Sequence, residues 1–402
     1  MVPPPDNKEP LLRVAIAGAG IAGLAAAVAL SRDPRVDVQL FDKASALREI
    51  GASIALGPNG LRTLDKLGVG NALDDEVAFR GPSGLPMIYR HWKTNEIISY
   101  DEFKNVPERR YQTARFARAH LHQSLLQHVD PARIHLGKKT VAVEEDPSGG
   151  VVVKFADGTE ARADLLVGAD GINSWGPTGN VFASRLGKGQ FTTVGMTLLD
   201  PEDPKNKQIV ETARWDNAAD ITQVRELFKD WHPLIRALFD HTPHINVYPN
   251  LAITAALPSY TFLGGRVALI GDAAHPHGGA FATGGSLAID DAYALSLALR
   301  AAWPPSSHAK PSREQLARAT GVYERVRRPH TTRLLEVVHR GVQASKERLR
   351  KGVESDGELR ERTSKRAETS WLHEHDVEGE VRRVLVEEGL VAGEVGVVEA
   401  RL

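Results

Sequence analysis

Hydrophobic residues near the start of the chain form short apolar runs of strand length and one longer Ala- and Leu-rich run of helix length. Leu12–Ala17 predicts a buried strand, residues 24–30 predict a helix that ends near Pro34, and Val36–Phe41 predicts the next strand. The stretch 14–30 is slightly short for a membrane span and contains three glycines, so we interpret it as strand, turn and helix. This βαβ order predicts a parallel sheet covered by helices.

The rest of the chain gives a mixed pattern of short strands, turns and helices. The predicted strands are residues 87–89, Ile97–Tyr100, Val151–Phe155, 165–167 and 267–270, with a turn at Ala156-Asp157-Gly158 between the third and the fourth. The predicted helices are residues 61–67, 121–129, 221–229 and 285–302. From about Pro311 the pattern is helical and heavily charged, and Pro329 predicts a break in it.

Composition places the chain among globular proteins of two or three domains. It has 402 residues, of which 42% are hydrophobic and 25% charged, and its formal net charge is −1. Nothing global therefore favours nucleic acid or an anionic membrane as a partner. The absence of cysteine excludes disulfides, thiolate metal sites and cysteine nucleophiles, and it favours a cytoplasmic, reducing location.

A glycine-rich turn follows the first predicted strand. Gly18, Gly20 and Gly23 have the spacing of the dinucleotide fingerprint, and Asp42 ends the second strand 24 positions after Gly18. In such a turn the first glycine makes the bend, the second admits a pyrophosphate against the backbone, and the third lets helix and strand pack closely. The helix N-terminus would bind the phosphates, and Asp42 the ribose hydroxyls. This fingerprint leaves NAD and FAD open, and a buried helix without any ligand is the plain alternative.

A second strand–glycine–helix turn favours FAD over NAD. The predicted strand 267–270 ends in Gly271-Asp272, and a loop of glycine and alanine then leads into a helix near Ser286. Two such turns suit a long cofactor that is held at both ends. Asp272 would bind the ribityl hydroxyls, and the helix N-terminus near Gly285 would stabilise negative charge on a reduced flavin. An ordinary strand-to-helix turn is the alternative.

Three motifs in this order resemble the group A FAD-dependent aromatic monooxygenases, of the salicylate hydroxylase and para-hydroxybenzoate hydroxylase kind. They are residues 18–23, residues 164–171 (Asp-Leu-Leu-Val-Gly-Ala-Asp-Gly) and residues 271–275 (Gly-Asp-Ala-Ala-His). Smaller similarities lie at residues 47–52 and 58–60. The resemblance runs from about Leu11 to His375, and the segment 371–376 is most similar to fungal salicylate hydroxylase-like members.

The resemblance implies a set of cofactor-binding residues. Those near the start serve the pyrophosphate and the adenosine ribose, and the later ones serve the ribityl chain, the flavin ring and the nicotinamide nucleotide. The expected residues are Gly18, Gly20, Ile21, Ala22, Gly23, Asp42, Lys43, Arg48, Ala52, Arg118, Asp170, Gly171, Gly271, Asp272, Gly284 and Gly285.

The resemblance also implies the architecture. We expect an α/β fold with a Rossmann-like FAD-binding domain of the glutathione-reductase type, an inserted mixed β-sheet substrate domain and a C-terminal helical region. The expected FAD-binding domain is discontinuous and comprises residues 10–80, 110–174 and 262–302. The expected substrate domain comprises residues 81–109 and 175–261, and the helical region comprises residues 303–402.

The activity that the resemblance implies is hydroxylation of a phenolic or hydroxybenzoate-like aromatic, with NADPH or NADH and O2, through a flavin hydroperoxide. The chain has a single fingerprint of the dinucleotide type, so the nicotinamide has no domain of its own and must dock transiently. Among fifteen histidines, His275 is the best-placed candidate base, with a loop-structuring role as the alternative. Other open readings are a different flavin oxidoreductase of secondary metabolism, or a protein that binds FAD but turns over poorly. The protein would be a monomer or a homodimer.

One departure from the family pattern bears on turnover. After Asp170-Gly171 the family continues through Ser into an Arg and several sheet strands, whereas here Ser174 is followed at once by Trp175. Compared with that pattern the sequence has a deletion after Ser174, which predicts either a remodelled, shortened substrate domain or a misassembled version of a longer sequence. FAD binding should survive the deletion, whereas nicotinamide docking and hydroxylation depend on the missing part.

Other patterns favour ordinary surface roles. Pairs of histidines two residues apart lack a third ligand, so we expect no metal site. The basic residues of segment 346–351 alternate with Glu347 and predict a solvated helix face rather than nucleic-acid binding. The C-terminal Ala400-Arg401-Leu402 resembles a peroxisomal address, so a peroxisomal location is the alternative to the cytoplasm.

Overall fold

The computed structural model describes residues 11–47, 53–169, 180–196, 218–219, 221–242, 245–246, 252–351, 354–366 and 368–391. Its strands, in chain order, are β1 (Leu12–Ala17), β2 (Val36–Phe41), β3 (Ser53–Leu56), β4 (Ile88–Arg90), β5 (Ile97–Tyr100), β6 (Ala114–Ala117), β7 (Ile134–His135), β8 (Thr140–Glu145), β9 (Val151–Phe155), β10 (Glu160–Ala163), β11 (Leu165–Gly168), β12 (Asn180–Arg185), β13 (Phe191–Met196), β14 (Ala218–Ala219), β15 (Ile245–Asn246), β16 (Thr261–Phe262) and β17 (Val267–Leu269). Its α-helices are α1 (Ile21–Leu30), α2 (Pro58–Lys66), α3 (Arg118–Leu126), α4 (Ile221–Leu227), α5 (Pro233–Asp240), α6 (Gly284–Ala302), α7 (Arg313–Lys351), α8 (Asp356–Ser364), α9 (Ser370–His373) and α10 (Val377–Glu387).

A six-stranded sheet forms the centre of the fold, with strand order β16-β17-β11-β1-β2-β7. All neighbours are parallel except β16, which runs antiparallel to β17 at one edge. Val14 on β1 pairs with Val38 on one side and Leu165 on the other. The predicted βαβ unit is therefore confirmed, and the carboxyl ends of β1, β2, β11 and β17 share one edge of the sheet.

Both faces of this sheet are covered by other elements. This explains why the sequences of its strands are continuous apolar runs. Helices α1 and α6 pack on one face around buried residues such as Ile16, Leu24 and Ile289. The antiparallel strands β8, β9 and β10 cover the other face, where Ala15, Phe155 and other apolar side chains form a second core. The expected α/β architecture is confirmed as three layers.

The strand order after residue 155 differs from the sequence prediction. The turn at residues 156–158 leads into β10, which pairs back onto β9, and not into the strand at Leu165. β11 begins only after Asp164, whose buried carboxylate accepts hydrogen bonds from the Arg13 backbone at 2.9 Å and from Lys310 at 2.6 Å. The short alternating segment Glu160–Ala163 gave too weak a pattern to predict a strand.

The helical C-terminal part packs directly on the central core. Leu316 and Tyr323 of α7 and Val381 of α10 belong to the same buried cluster as the residues of β1 and α1. The predicted break at Pro329 is wrong, because α7 continues through this proline to Lys351. Burial of its apolar face on both sides of Pro329 outweighs a cost of about 3 kcal/mol for a proline inside a helix.

The region expected to form the substrate domain contains the hairpin β4–β5, as predicted, and the ladders β12–β13 and β14–β15. Within the described ranges these are separate two-stranded ladders and not one mixed sheet. The predicted deletion after Ser174 lies outside the described residues, as does the C-terminal tripeptide. In the described part of the chain, no helix is both long enough and apolar enough to cross a membrane.

Candidate functional site

The glycine turn between β1 and α1 forms an open cradle at the carboxyl edge of the sheet. Gly18 has φ +106, a conformation that favours glycine, and Gly20 caps α1 without any side-chain hydrogen bond. A Cβ atom on Gly20 would have no atom of the other described residues within 4 Å, apart from its neighbours in the chain, whereas one on Gly23 would lie 1.9 Å from the carbonyl oxygen of Gly18. The first turn of α1 has no acidic side chain, so its amide groups and its dipole are available to an anion.

Two side chains fix the peptide groups of this turn at Ala19. The Ala19 amide donates to Asp42 Oδ2 at 2.7 Å, and the other oxygen of Asp42 accepts from the Ala44 amide at 2.7 Å. On the opposite side, Nε2 of the buried His122 donates to the Ala19 carbonyl at 2.9 Å. Asp42 therefore shapes the turn itself, and the second lone pair on each of its oxygens still allows it to accept from a ligand hydroxyl.

The second glycine turn meets the first one in space. Gly271 follows β17 with φ +58, and a Cβ atom on it would lie 3.0 Å from Ala22 Cβ and 3.3 Å from Ala288 Cβ. It thus occupies the close contact between α1 and α6, helices that start at the same edge of the sheet. Gly271 and Ala22 are about 250 positions apart in the sequence and yet pack against each other. A long cofactor that is held by both glycine turns requires this proximity.

The N-terminus of α6 completes the cradle. Asp272 is exposed, and its Oδ1 would lie 3.9 Å from a Cβ atom placed on Gly284. A Cβ atom on Gly285 would lie 2.6 Å from Ile54 Cδ1, so this glycine lets α6 approach β3. The exposed carboxylate therefore stands beside the start of a 19-residue helix, with small residues around it.

A buried ionic network lies beneath this turn. Asp291 Oδ2 accepts from the Gly271 amide at 2.8 Å and lies 2.5 Å from His275 Nε2, while Asp291 Oδ1 accepts from Arg327 Nε at 2.6 Å. Asp291 and Arg327 have no exposed side-chain surface. Burial favours the protonated acid, but His275 and Arg327 outweigh it and lower the pKa of Asp291.

The neighbouring carboxylate, Asp290, faces α2, and its pKa is shifted in the opposite direction. Asp290 accepts from Asn59 Nδ2 at 2.8 Å and from Thr63 Oγ1 at 2.7 Å, both on α2. Burial raises the pKa of Asp290 to about 6, because these neutral donors do not offset the loss of water. Two adjacent acids on α6 therefore join it to different elements.

Comparison with known proteins shows to which family this chain belongs. The model of the FAD binding domain family matches residues 12–226 and 256–334, which include both glycine turns. The chain belongs to the FAD-binding domain family. Salicylate hydroxylase from Pseudomonas putida is 29% identical over 388 residues, which cover 82% of this chain and 84% of the relative.

Solved structures show the same fold. A salicylate hydroxylase in complex with its substrate has a TM-score of 0.70 at 22% identity, with 93% of this chain and 98% of that chain covered. HpxO from Klebsiella pneumoniae, complexed with FAD and uric acid, has a TM-score of 0.63 at 22% identity, with 93% and 97% covered. The resemblance to group A FAD-dependent aromatic monooxygenases is thus confirmed. The chain is an oxidoreductase.

The cradle fits the FAD that membership of this FAD-binding domain family implies. It has an open approach at Gly20, an uncapped helix N-terminus for the pyrophosphate and a separate carboxylate at the far turn, Asp272. Of the other residues expected from the sequence, Lys43 is exposed near the end of β2, and Arg118 begins α3, the helix that carries His122 to the turn. Arg48, Ala52, Asp170 and Gly171 lie outside the described residues.

Sequence reasoning missed three residues of the site. His122, Asp291 and Arg327 contact the glycine turns or support them, although each stands far from its partner along the chain. For Arg327 the sequence signal was weak, because an arginine within a charged helix usually belongs to a solvated face. An Asp next to a second Asp in the otherwise apolar first half of α6 was the one hint in the sequence.

Proposed function

We propose that this protein is an FAD-dependent monooxygenase that hydroxylates a phenolic or hydroxybenzoate-like aromatic with NAD(P)H and O2. The overall reaction consumes the aromatic compound, O2, NAD(P)H and one proton, and it yields the hydroxylated aromatic, NAD(P)+ and water. Bound FAD would supply the electron transfer and the activation of O2. The observation that carries the proposal is the contact between the two glycine turns at Ala22 and Gly271, with Asp272 exposed beside them.

The roles of the described residues follow from their positions. The amides at the start of α1 would bind the pyrophosphate, with Gly20 leaving room for it. Asp42 would accept from the adenosine ribose and Asp272 from the ribityl chain. The N-terminus of α6 would favour negative charge on the reduced ring, since its dipole points that way.

The relatives support an oxygen-bearing aromatic ring as the class of substrate. The relatives and neighbours named above include enzymes of salicylate and a protein complexed with uric acid, which share an electron-rich ring that bears oxygen. We therefore propose a ring of this type for the present chain.

Stopped-flow flavin reduction tests the proposal. The protein is loaded with FAD and mixed with NADPH or NADH, with and without a panel of phenolic acids, and the products are separated by chromatography. We expect substrate-accelerated reduction and a product heavier by one oxygen atom. Reduction without an aromatic product would favour a different flavin oxidoreductase. A bound flavin that neither nucleotide reduces would contradict the proposal and favour a binding protein with impaired turnover.

A further inference from the structure

We propose that Asp291 and Arg327 are positioning residues that hold the Gly271–Asp272 turn in the shape required to bind FAD. The Asp291 carboxylate joins both ends of this turn, through the Gly271 amide at 2.8 Å and His275 Nε2 at 2.5 Å. Between these two points the chain has only three residues, one of which is Asp272. With both ends tied to α6, the backbone at Asp272 is held in place relative to the helix N-terminus.

Arg327 in turn fixes the carboxylate. Its Nε donates to Asp291 Oδ1 at 2.6 Å and its Nη2 to the Leu287 carbonyl at 3.4 Å, so α7 is joined to α6 at the level of the turn. The guanidinium group is planar and rigid, so it orients a carboxylate better than a lysine would. Asp291 uses one oxygen for Arg327 and the other for the turn.

Stability alone is a poor explanation for this arrangement. A fully buried ion pair usually contributes little net stability compared with apolar residues of similar volume, because the desolvation of both charges offsets their attraction. Tyr260 and Tyr323 pack beside the network. The Tyr260 hydroxyl shares a hydrogen bond with the Thr331 hydroxyl, and the Tyr323 hydroxyl donates to the Leu269 carbonyl. The buried ion pair therefore lies next to a turn whose shape has to match a ligand. At such a place a fixed geometry matters more than the net stability that the pair contributes.

The matched control for Asp291 is its neighbour Asp290. Both are buried carboxylates on α6 with no exposed surface, yet Asp290 contacts Asn59 and Thr63 of α2 and not the turn. Asp291→Asn and Asp290→Asn therefore remove the same charge at the same depth. Only the first should loosen the Gly271–His275 turn.

Two measurements on the full-length protein test the inference, which rests on the proposed binding of FAD. Hydrogen exchange by mass spectrometry, on protein freed of FAD, follows the peptide that contains residues 270–276. Titration with FAD, followed by flavin fluorescence, gives its Kd. For Asp291→Asn we expect exchange of this peptide at least about tenfold faster and a Kd at least about tenfold higher, since supporting residues around a bound group often have effects of 10- to 100-fold. Asp290→Asn should change neither by more than about twofold.

The outcomes separate this inference from the proposed function. Wild-type exchange or wild-type Kd in Asp291→Asn, or an equal loss of FAD in Asp290→Asn, would overturn the inference while the cofactor assignment stands. Wild-type protein that fails to bind FAD would overturn both. If Asp291→Asn does not fold, the double variant Asp291→Asn/Arg327→Met takes its place, because it removes both charges of the buried pair together. The same faster exchange and higher Kd are then expected.

Discussion

A single methyl group at Gly20 should separate cofactor binding from folding. In the part of the chain that the structure describes, a Cβ atom at this position has no atom within 4 Å beyond its chain neighbours, and the backbone angles, φ −75 and ψ −172, are open to alanine. Gly20→Ala loses about 0.5–1 kcal/mol at the helix cap and gains about 0.4–1 kcal/mol from the less flexible unfolded chain. The free energy of unfolding should therefore change by less than about 0.5 kcal/mol.

Binding of FAD should respond much more strongly. The added methyl occupies the space through which a phosphate would approach the first amides of α1. Loss of one charge-assisted hydrogen bond costs about 1.5–3 kcal/mol, which corresponds to a Kd about ten- to a hundredfold higher.

Gly23 lies three residues after Gly20, and Gly23→Ala should mainly destabilise the fold. Its Cβ atom would lie 1.9 Å from the Gly18 carbonyl oxygen and 3.3 Å from Ile16 Cγ2. Backbone atoms would have to move by about 1 Å, so we expect a loss of about 3 kcal/mol or more in the free energy of unfolding. Urea unfolding followed by circular dichroism measures this loss, and flavin fluorescence measures binding.

Gly341→Ala provides the control for an added methyl group. Gly341 lies in α7, and outside that helix's own backbone a Cβ atom on it would meet none of the described residues within 4 Å. Its replacement should stabilise the helix by up to about 1 kcal/mol without any effect on FAD. The reasoning is refuted if Gly20→Ala binds FAD as tightly as the wild type, or if Gly23→Ala unfolds at the wild-type urea concentration.

Three other changes test separate parts of the site. Asp272→Asn should leave the free energy of unfolding within about 0.5 kcal/mol, because the side chain is exposed, and should raise the Kd of FAD about tenfold or more; equal Kd values in equilibrium dialysis would contradict its role. His122→Leu leaves the Ala19 carbonyl without its donor and should cost about 1–3 kcal/mol in urea unfolding, together with weaker FAD binding. For Asp290 the pKa is raised to about 6, above its ordinary value of 3.8, so the wild type should lose up to about 3 kcal/mol of unfolding free energy as the pH rises from about 4 to about 6. Asp290→Asn lacks this loss, and a stability difference between variant and wild type that is the same at pH 4 and pH 7 would show that the side chain titrates normally.

Local patterns were sufficient for the first half of the site. The strands Leu12–Ala17 and Val36–Phe41 have the predicted bounds, because a buried parallel strand is an apolar run whose ends are marked by glycine and charge. The roles of Gly18 and Gly23 were also predictable, since the fingerprint encodes backbone geometry within six residues.

Long-range contacts were not predictable in the same way. No local pattern indicates that His122 donates to Ala19 or that Arg327 reaches Asp291, because both contacts depend on how α3 and α7 pack. Pro329 is a case in which a local pattern gave a wrong prediction. A local rule predicted a break, and tertiary packing of α7 overrode it.

The position of His275 illustrates why nearness to a motif does not define a chemical role. A general base needs a nitrogen that can reach the substrate, and in the structure His275 Nε2 is engaged with Asp291 at 2.5 Å while the ring is almost fully buried. An anionic partner holds the proton on that nitrogen, and Nδ1 is buried without a hydrogen-bond partner among the described residues. This arrangement favours the loop-structuring alternative over proton transfer. Among the described residues, those that would bind the cofactor lie at the carboxyl edge of the parallel sheet or support it from α3, α6 and α7. In the proposed hydroxylation of a phenol, the base would therefore be a residue other than His275.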